Sequence, residues 1–97
     1  MARTLIERRL HEVGARLKAL REELAVLDEQ LQVFNDTAAE ARVRALVSET
    51  PLADRDQYEA SRHADAMTRS RADVVERLAE LERRQDDLLD RLVADAR

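Results

Sequence analysis

The sequence contains no cysteine and no tryptophan, and only one glycine (Gly14), one proline (Pro51), one phenylalanine (Phe34) and one tyrosine (Tyr58). Each scarcity closes off a class of structure. Without cysteine there is no disulfide scaffold and no thiolate metal site, and reducing compartments are open to the chain. A sheet needs turn residues, β-branched runs and aromatics, all of which are sparse here. A single glycine cannot build a phosphate-cradling loop. The longest unbroken apolar run is Leu24 to Leu27, far short of the roughly 20 residues a bilayer-spanning helix needs. Arg3, Glu7, Arg8 and Arg9 occupy the start of the chain in place of a signal-type apolar region, so a cytoplasmic location is the expectation.

What remains is helix chemistry. Ala, Glu, Lys, Leu and Arg fill 58 of 97 positions, a share typical of long helices and coiled coils. The length suits one domain. A net charge of −4 argues against general nucleic-acid binding, which needs a clustered positive field to neutralise phosphates. The use of 16 arginines against one lysine fits a GC-rich genome better than a chemical demand.

Apolar spacing carries the strongest signal. Ile6, Leu10, Val13, Leu17, Leu20, Leu24, Leu27, Leu31, Phe34, Ala38, Ala41 and Ala45 follow strict four–three alternation, the heptad of a coiled coil. A second run comprises Ala60, Ala64, Met67, Arg71, Val74, Leu78, Leu81, Gln85, Leu88 and Leu92, with Arg71 and Gln85 as polar interruptions. The register passes unchanged through Gly14 and through Asn35-Asp36-Thr37, which predicts one unbroken first helix. Thr4 and Glu7 suggest a capping box at its start. The break falls in Ser48-Glu49-Thr50-Pro51-Leu52-Ala53. Thr50 before Pro51 is one candidate cap for the second helix, and Asp54 with Gln57 is a competing box. The expectation is an all-α antiparallel hairpin with a helix over 4–48, a turn at 49–53 and a helix over 54–95, each helix roughly 65 Å long at 1.5 Å per residue. Six basic and two acidic residues in 1–21 would oppose four basic and six acidic ones in 80–97, which favours antiparallel pairing.

The seam changes along its length. Away from the turn it is leucine-rich, and near the turn Ala38, Ala41 and Ala45 face Ala60 and Ala64. An ordinary alanine-rich coiled coil accounts for this, and so does a finger narrowed to enter something. Composition alone favours the former. A flank of Leu5, Ala19, Val26, Val33 and Val47 on the first helix, with Val75, Leu89 and Val93 on the second, exceeds what one seam requires. Val26, Val33 and Val75 are therefore candidate interaction residues, for a homodimer forming a four-helix bundle or for a partner helix.

Candidates for chemistry are few. His11 and His63 each follow a glutamate by four positions (Glu7, Glu59), a spacing for helix-surface pairs rather than for a metal site. Ser48, Ser61 and Ser70 lack the His and carboxylate partners of nucleophilic catalysis. No catalytic residue, intrinsic metal site or cofactor is expected. At the turn, Glu49, Asp54 and Asp56 gather within eight residues, opposed only by Arg55. They cap and solubilise the turn, or they form an acidic tip able to share a divalent cation.

The stretch Pro51-Leu52-Ala53-Asp54-Arg55-Asp56-Gln57-Tyr58-Glu59-Ala60-Ser61-Arg62 resembles the tip of the Gre transcript-cleavage factors of bacterial RNA polymerase. Their N-terminal coiled coil carries Asp-Leu-x-Glu-Asn, then Tyr and an Ala-x-Arg-like helix. Leu52, Tyr58, Ala60 and Arg62 fall in register, and Asp54 stands at the second tip acid. Pro51 stands at the first, so a second carboxylate would come from Glu49 or Asp56. Through Pro51 and Asp54-Arg55 the tip is also similar to the Asp-Pro-x-Asp-Arg element of DksA-like factors. Both families carry a further globular domain, for which this sequence has no counterpart. The resemblance implies a non-enzyme that inserts its tip into the RNA polymerase secondary channel. Asp54 would be the main acid lent to the partner's metal, and Tyr58 a positioning residue. The competing reading is a structural or adaptor coiled coil working through Val26, Val33 and Val75, without direct contact to nucleic acid or membrane.

Overall fold

Two long helices, α1 (Ala2–Ser48) and α2 (Pro51–Asp95), form an all-α hairpin with no strand among the described residues. The structure is a computed structural model and describes residues 2–96. Side chains sort as the heptad requires. Every seam position from Ile6 to Ala45 in α1, and every one from Ala60 to Leu92 in α2, is buried or half-buried. The register also runs backward from Ala60 to Gln57 and Ala53, both half-buried, so contact begins in the first turn of α2.

The chain divides into two compact units, Met1–Leu24 with Val74–Arg97 and Ala25–Asp73. In the first, the core is Val13, Leu17, Val74, Leu78 and Leu88, with Leu17 only 1% exposed. Burying a leucine this fully contributes about 1.5–3 kcal/mol. Arg21 and Glu82 pair across the helices at 3.7 Å.

In the second unit the fully buried residues are all alanines: Ala41, Ala45 and Ala64. Ala41 is 2% exposed, whereas Leu27, Leu31 and Phe34 are only half-buried. Small residues at these seam positions permit a close helix–helix approach. Arg71 occupies a seam position and donates from Nε to the Asp28 carboxylate on α1. Both groups keep about half their exposure, so the pair contributes at most about 1 kcal/mol. Its larger effect is on register, since a polar seam residue with a fixed partner disfavours slipped pairings.

The helix starts differ from those expected. Thr4 lies within α1, and the Thr4–Glu7 box does not form. Glu7 instead accepts from Arg3 Nε at 3.2 Å. The turn is not 49–53 but Glu49 and Thr50 alone, and α2 begins at Pro51 rather than at 54. Proline suits this position because its fixed φ is already helical and the amide it lacks would be unpaired there. Asp54 is thus already inside the helix and Gln57 is in the seam, so the Asp54–Gln57 box does not form either.

Gly14 sits half-buried in α1, and a Cβ added there would meet nothing within 4 Å. Gly14→Ala should therefore raise the unfolding free energy by about 1 kcal/mol through helix propensity alone. Thermal unfolding followed by circular dichroism should show a midpoint higher by about 4–8 °C. An unchanged midpoint would mean that the glycine answers a packing need not visible in its surroundings.

Candidate functional site

The turn is built from two complementary helix ends. At the C-terminus of α1, Glu49 adopts φ 51° and its amide donates to Ala45 O at 3.1 Å. This left-handed cap satisfies one of the last free carbonyls of the helix. Glutamate is an unusual choice, because a Cβ crowds the following carbonyl at positive φ, a cost of about 1–2 kcal/mol that glycine avoids. At the N-terminus of α2, Thr50 Oγ1 accepts from the Ala53 amide at 3.2 Å, and Thr50 O accepts from the Asp54 amide at 3.1 Å. Thr50 is therefore the N-cap, Pro51 the first helical residue, and Asp54 an acid in the positively polarised first turn.

This arrangement separates the acids. Asp54 and Asp56 are two apart on a regular helix, about 200° around its axis, and do not face each other. Glu49 lies before the cap. All three are exposed, and among the described residues none of them has a hydrogen-bond or ion-pair partner for its carboxylate. No group of three or more His, Cys, Asp or Glu among the described residues is placed to hold a metal ion. The three acids are thus carboxylates at one end of the unit, not a ligand cluster.

The next turns of α2 carry ordered surface pairs. Arg55 Nε donates to Glu59 Oε1 at 3.2 Å, and the Arg62 guanidinium lies 5.7 Å from the centre of the exposed Tyr58 ring. Contacts of this kind at exposed sites contribute about 0.5–1 kcal/mol. The expected Glu7–His11 and Glu59–His63 pairs are not made, because each glutamate is taken by the arginine four residues before it. His63 instead packs its ring edge-on against Phe34 at 6.0 Å and 77°.

Sequence reading placed Val47 in the apolar flank but missed Val43, Leu46 and Leu52 beside it. Val47, Leu46 and Leu52 are 79%, 73% and 69% exposed, the highest values among the large hydrophobics of the described residues, and Val43 is exposed beside them. Val43, Leu46 and Val47 stand at i, i+3 and i+4, so they share the outer side of the last turns of α1. The signal was present as an apolar trio off the a/d register, but the adjoining Ala38, Ala41 and Ala45 claim the seam and mask it. Val26 and Val33 are exposed in this unit, and Val75 is exposed in the other.

Comparison of the chain with protein-family models, with curated proteins and with solved structures gives no match. Among the described residues, no helix is long and apolar enough to cross a membrane.

The cap geometry makes two opposite predictions at adjacent positions. Glu49→Gly should stabilise the hairpin by up to about 1 kcal/mol by relieving the left-handed strain. Thr50→Ala should destabilise it by about 1 kcal/mol through loss of the cap. Urea unfolding of both variants checks this, and a loss of stability in Glu49→Gly would contradict the strain assignment.

Proposed function

We propose that this protein is a non-enzymatic interaction factor whose working end is the turn and the helix ends beside it, and that it regulates transcription by inserting this end into the secondary channel of bacterial RNA polymerase. One observation carries the reading: the three most exposed large hydrophobics of the described residues, Leu46, Val47 and Leu52, adjoin the partnerless carboxylates of Glu49, Asp54 and Asp56 at a single end of one unit. A solubilising turn has no use for such apolar exposure, whereas a docking end does. The alanine seam behind it supports the same reading, as does the Gre-like order of Leu52, Asp54, Tyr58, Ala60 and Arg62. Because Asp54 and Asp56 diverge around the helix, the reading uses Asp54 as a single carboxylate offered to a metal held by the partner. Tyr58, braced by Arg62, positions the start of α2. A cytoplasmic, bacterial setting belongs to this reading.

Purified RNA polymerase tests it directly. The wild-type protein should bind the enzyme and alter transcription in vitro, Asp54→Ala should abolish the effect while binding persists, and Leu46→Ser/Val47→Ser should lose binding. Since Thr50 and not Asp54 is the cap, Asp54→Ala should cost no more than about 1 kcal/mol of stability. If wild type and Asp54→Ala behave alike towards the polymerase, the reading fails.

The exposure of Val26 and Val33 on one line of α1 favours a second reading, a structural or adaptor coiled coil that associates with itself through this flank. Val26→Lys/Val33→Lys should then lower the sedimenting mass without reducing helix content. Sedimentation identical to wild type would exclude the flank as an interface.

A further inference from the structure

The heptad also fixes which residues border the seam. With Leu10 and Leu17 at a positions, the g positions of α1 in the first unit are Arg9, Arg16 and Glu23. In α2, Leu78 and Gln85 at a positions make Arg77, Arg84 and Arg91 the g residues. In an antiparallel pair the g positions of both helices border the same edge of the seam, and the structure gathers them. Arg16, Arg77 and Arg84 line one groove floored by Ala19, Leu20 and Leu81, and Arg9, Arg84 and Arg91 line another beside Leu88. Glu80 and Asp87 also border these grooves. Even so, among the described residues none of the five arginines makes an ion pair within 4 Å. Five exposed guanidiniums along one edge repel one another, and an acidic surface laid on that edge would relieve them.

We propose that this arginine edge binds the Ala25–Asp73 unit of a second copy of the chain. The proposal rests on the self-association reading above and names the surface that receives the Val26–Val33 flank. Charge is the first argument. Ala25–Asp73 holds ten acidic and six basic residues, the whole of the chain's net −4, while the unit bearing the edge balances eleven against eleven. Position is the second. At c and g positions of Ala25–Asp73 the acids are Glu40, Asp56, Glu59 and Asp73 against one arginine, Arg44, and Val26, Val33 and Glu40 repeat every seven residues, as Arg9–Arg16 and Arg77–Arg84–Arg91 do. Apolar groove floors between arginines thus meet valines in line with carboxylates. Area is the third. The chain exposes 7478 Å², against about 5,700 Å² for a compact monomer of its mass. A standard interface takes roughly 800 Å² from each partner, which a surface of this extent can supply. With two-fold symmetry each copy offers its arginines to the other's acids, and the assembly closes at two.

Sedimentation velocity on the full chain tests this, at low salt and at about 0.5 M NaCl, where screening shortens the reach of charge to several ångströms. The wild type should be dimeric at low salt and dissociate at least about tenfold more readily at high salt. Arg16→Glu/Arg84→Glu should be monomeric with helix content retained, and so should Glu40→Arg/Asp73→Arg. An equimolar mixture of the two should recover a dimer. Should charge reversal disturb folding, Arg16→Gln/Arg84→Gln decides, and a dimer of undiminished affinity in that variant overturns the proposal. A monomeric wild type sinks both the proposal and the self-association reading. A dimer broken by Val26→Lys/Val33→Lys but indifferent to the arginine substitutions leaves self-association standing and removes the arginine edge from it. A wild-type monomer whose arginines bind heparin or single-stranded oligonucleotide assigns the edge to a polyanion and overturns the proposal equally.

Discussion

Each helix of this hairpin has one neighbour, so a single a/d stripe is all the apolar surface that pairing can remove from water. The consequences run through the whole chain. Burial is thin, and among the described residues only eight hydrophobic side chains are buried. Polar seam positions such as Arg71 and Gln85 stay half-buried, where their charged or amide ends still reach water or a partner. Apolar residues outside the stripe remain exposed however well the hairpin folds, as Val26, Val33, Leu46 and Val47 do. Both helices carry such residues, Val26, Val33, Leu46 and Val47 on α1 and Leu52, Val75, Leu89 and Val93 on α2.

The heptad was legible because its physics is periodic. A seven-residue repeat needs no knowledge of the partner, and every a and d position read from it, Ile6 to Ala45 and Ala60 to Leu92, is buried or half-buried; its extension back to Gln57 and Ala53 emerges only in the structure. Local competition was harder to read. Glu7 had two equally spaced suitors in Arg3 and His11, and the permanently charged guanidinium makes the pair. Thr50 and Asp54 both have capping chemistry, and Pro51 decides between them by fitting only the first helical position after Thr50. The left-handed Glu49 could not be anticipated, because glycine or asparagine is the usual signature of that conformation.

The candidate site was legible in composition but not in arrangement. Three acids close in sequence suggested a cluster, yet starting α2 at Pro51 places Asp54 and Asp56 on a regular helix that points them apart. Apart from Val47, the apolar residues beside them were hidden by the stronger alanine pattern three residues away. Exposed apolar residues and partnerless carboxylates stand together at this end, and the proposed docking role rests on both. The arginines at g positions make the corresponding point for the first unit, where total charge balances but its distribution around the seam does not.

The two-residue connection has a consequence for how the chain resists misassembly. A hairpin whose reversal depends on one left-handed residue has an obvious competitor: that residue relaxes to the right-handed form, the helices fuse into one rod, and two rods exchange halves. Glu49 gives little protection, since its strain would be relieved by the change. Pro51 opposes it. A continuous helix would force Thr50 into helical geometry against the proline ring and would cost the interior a hydrogen bond, a penalty of about 3 kcal/mol or more. The same residue that opens α2 so cheaply makes the extended, exchanged form expensive, and the fold is kept closed by the substitution-sensitive chemistry of a single ring.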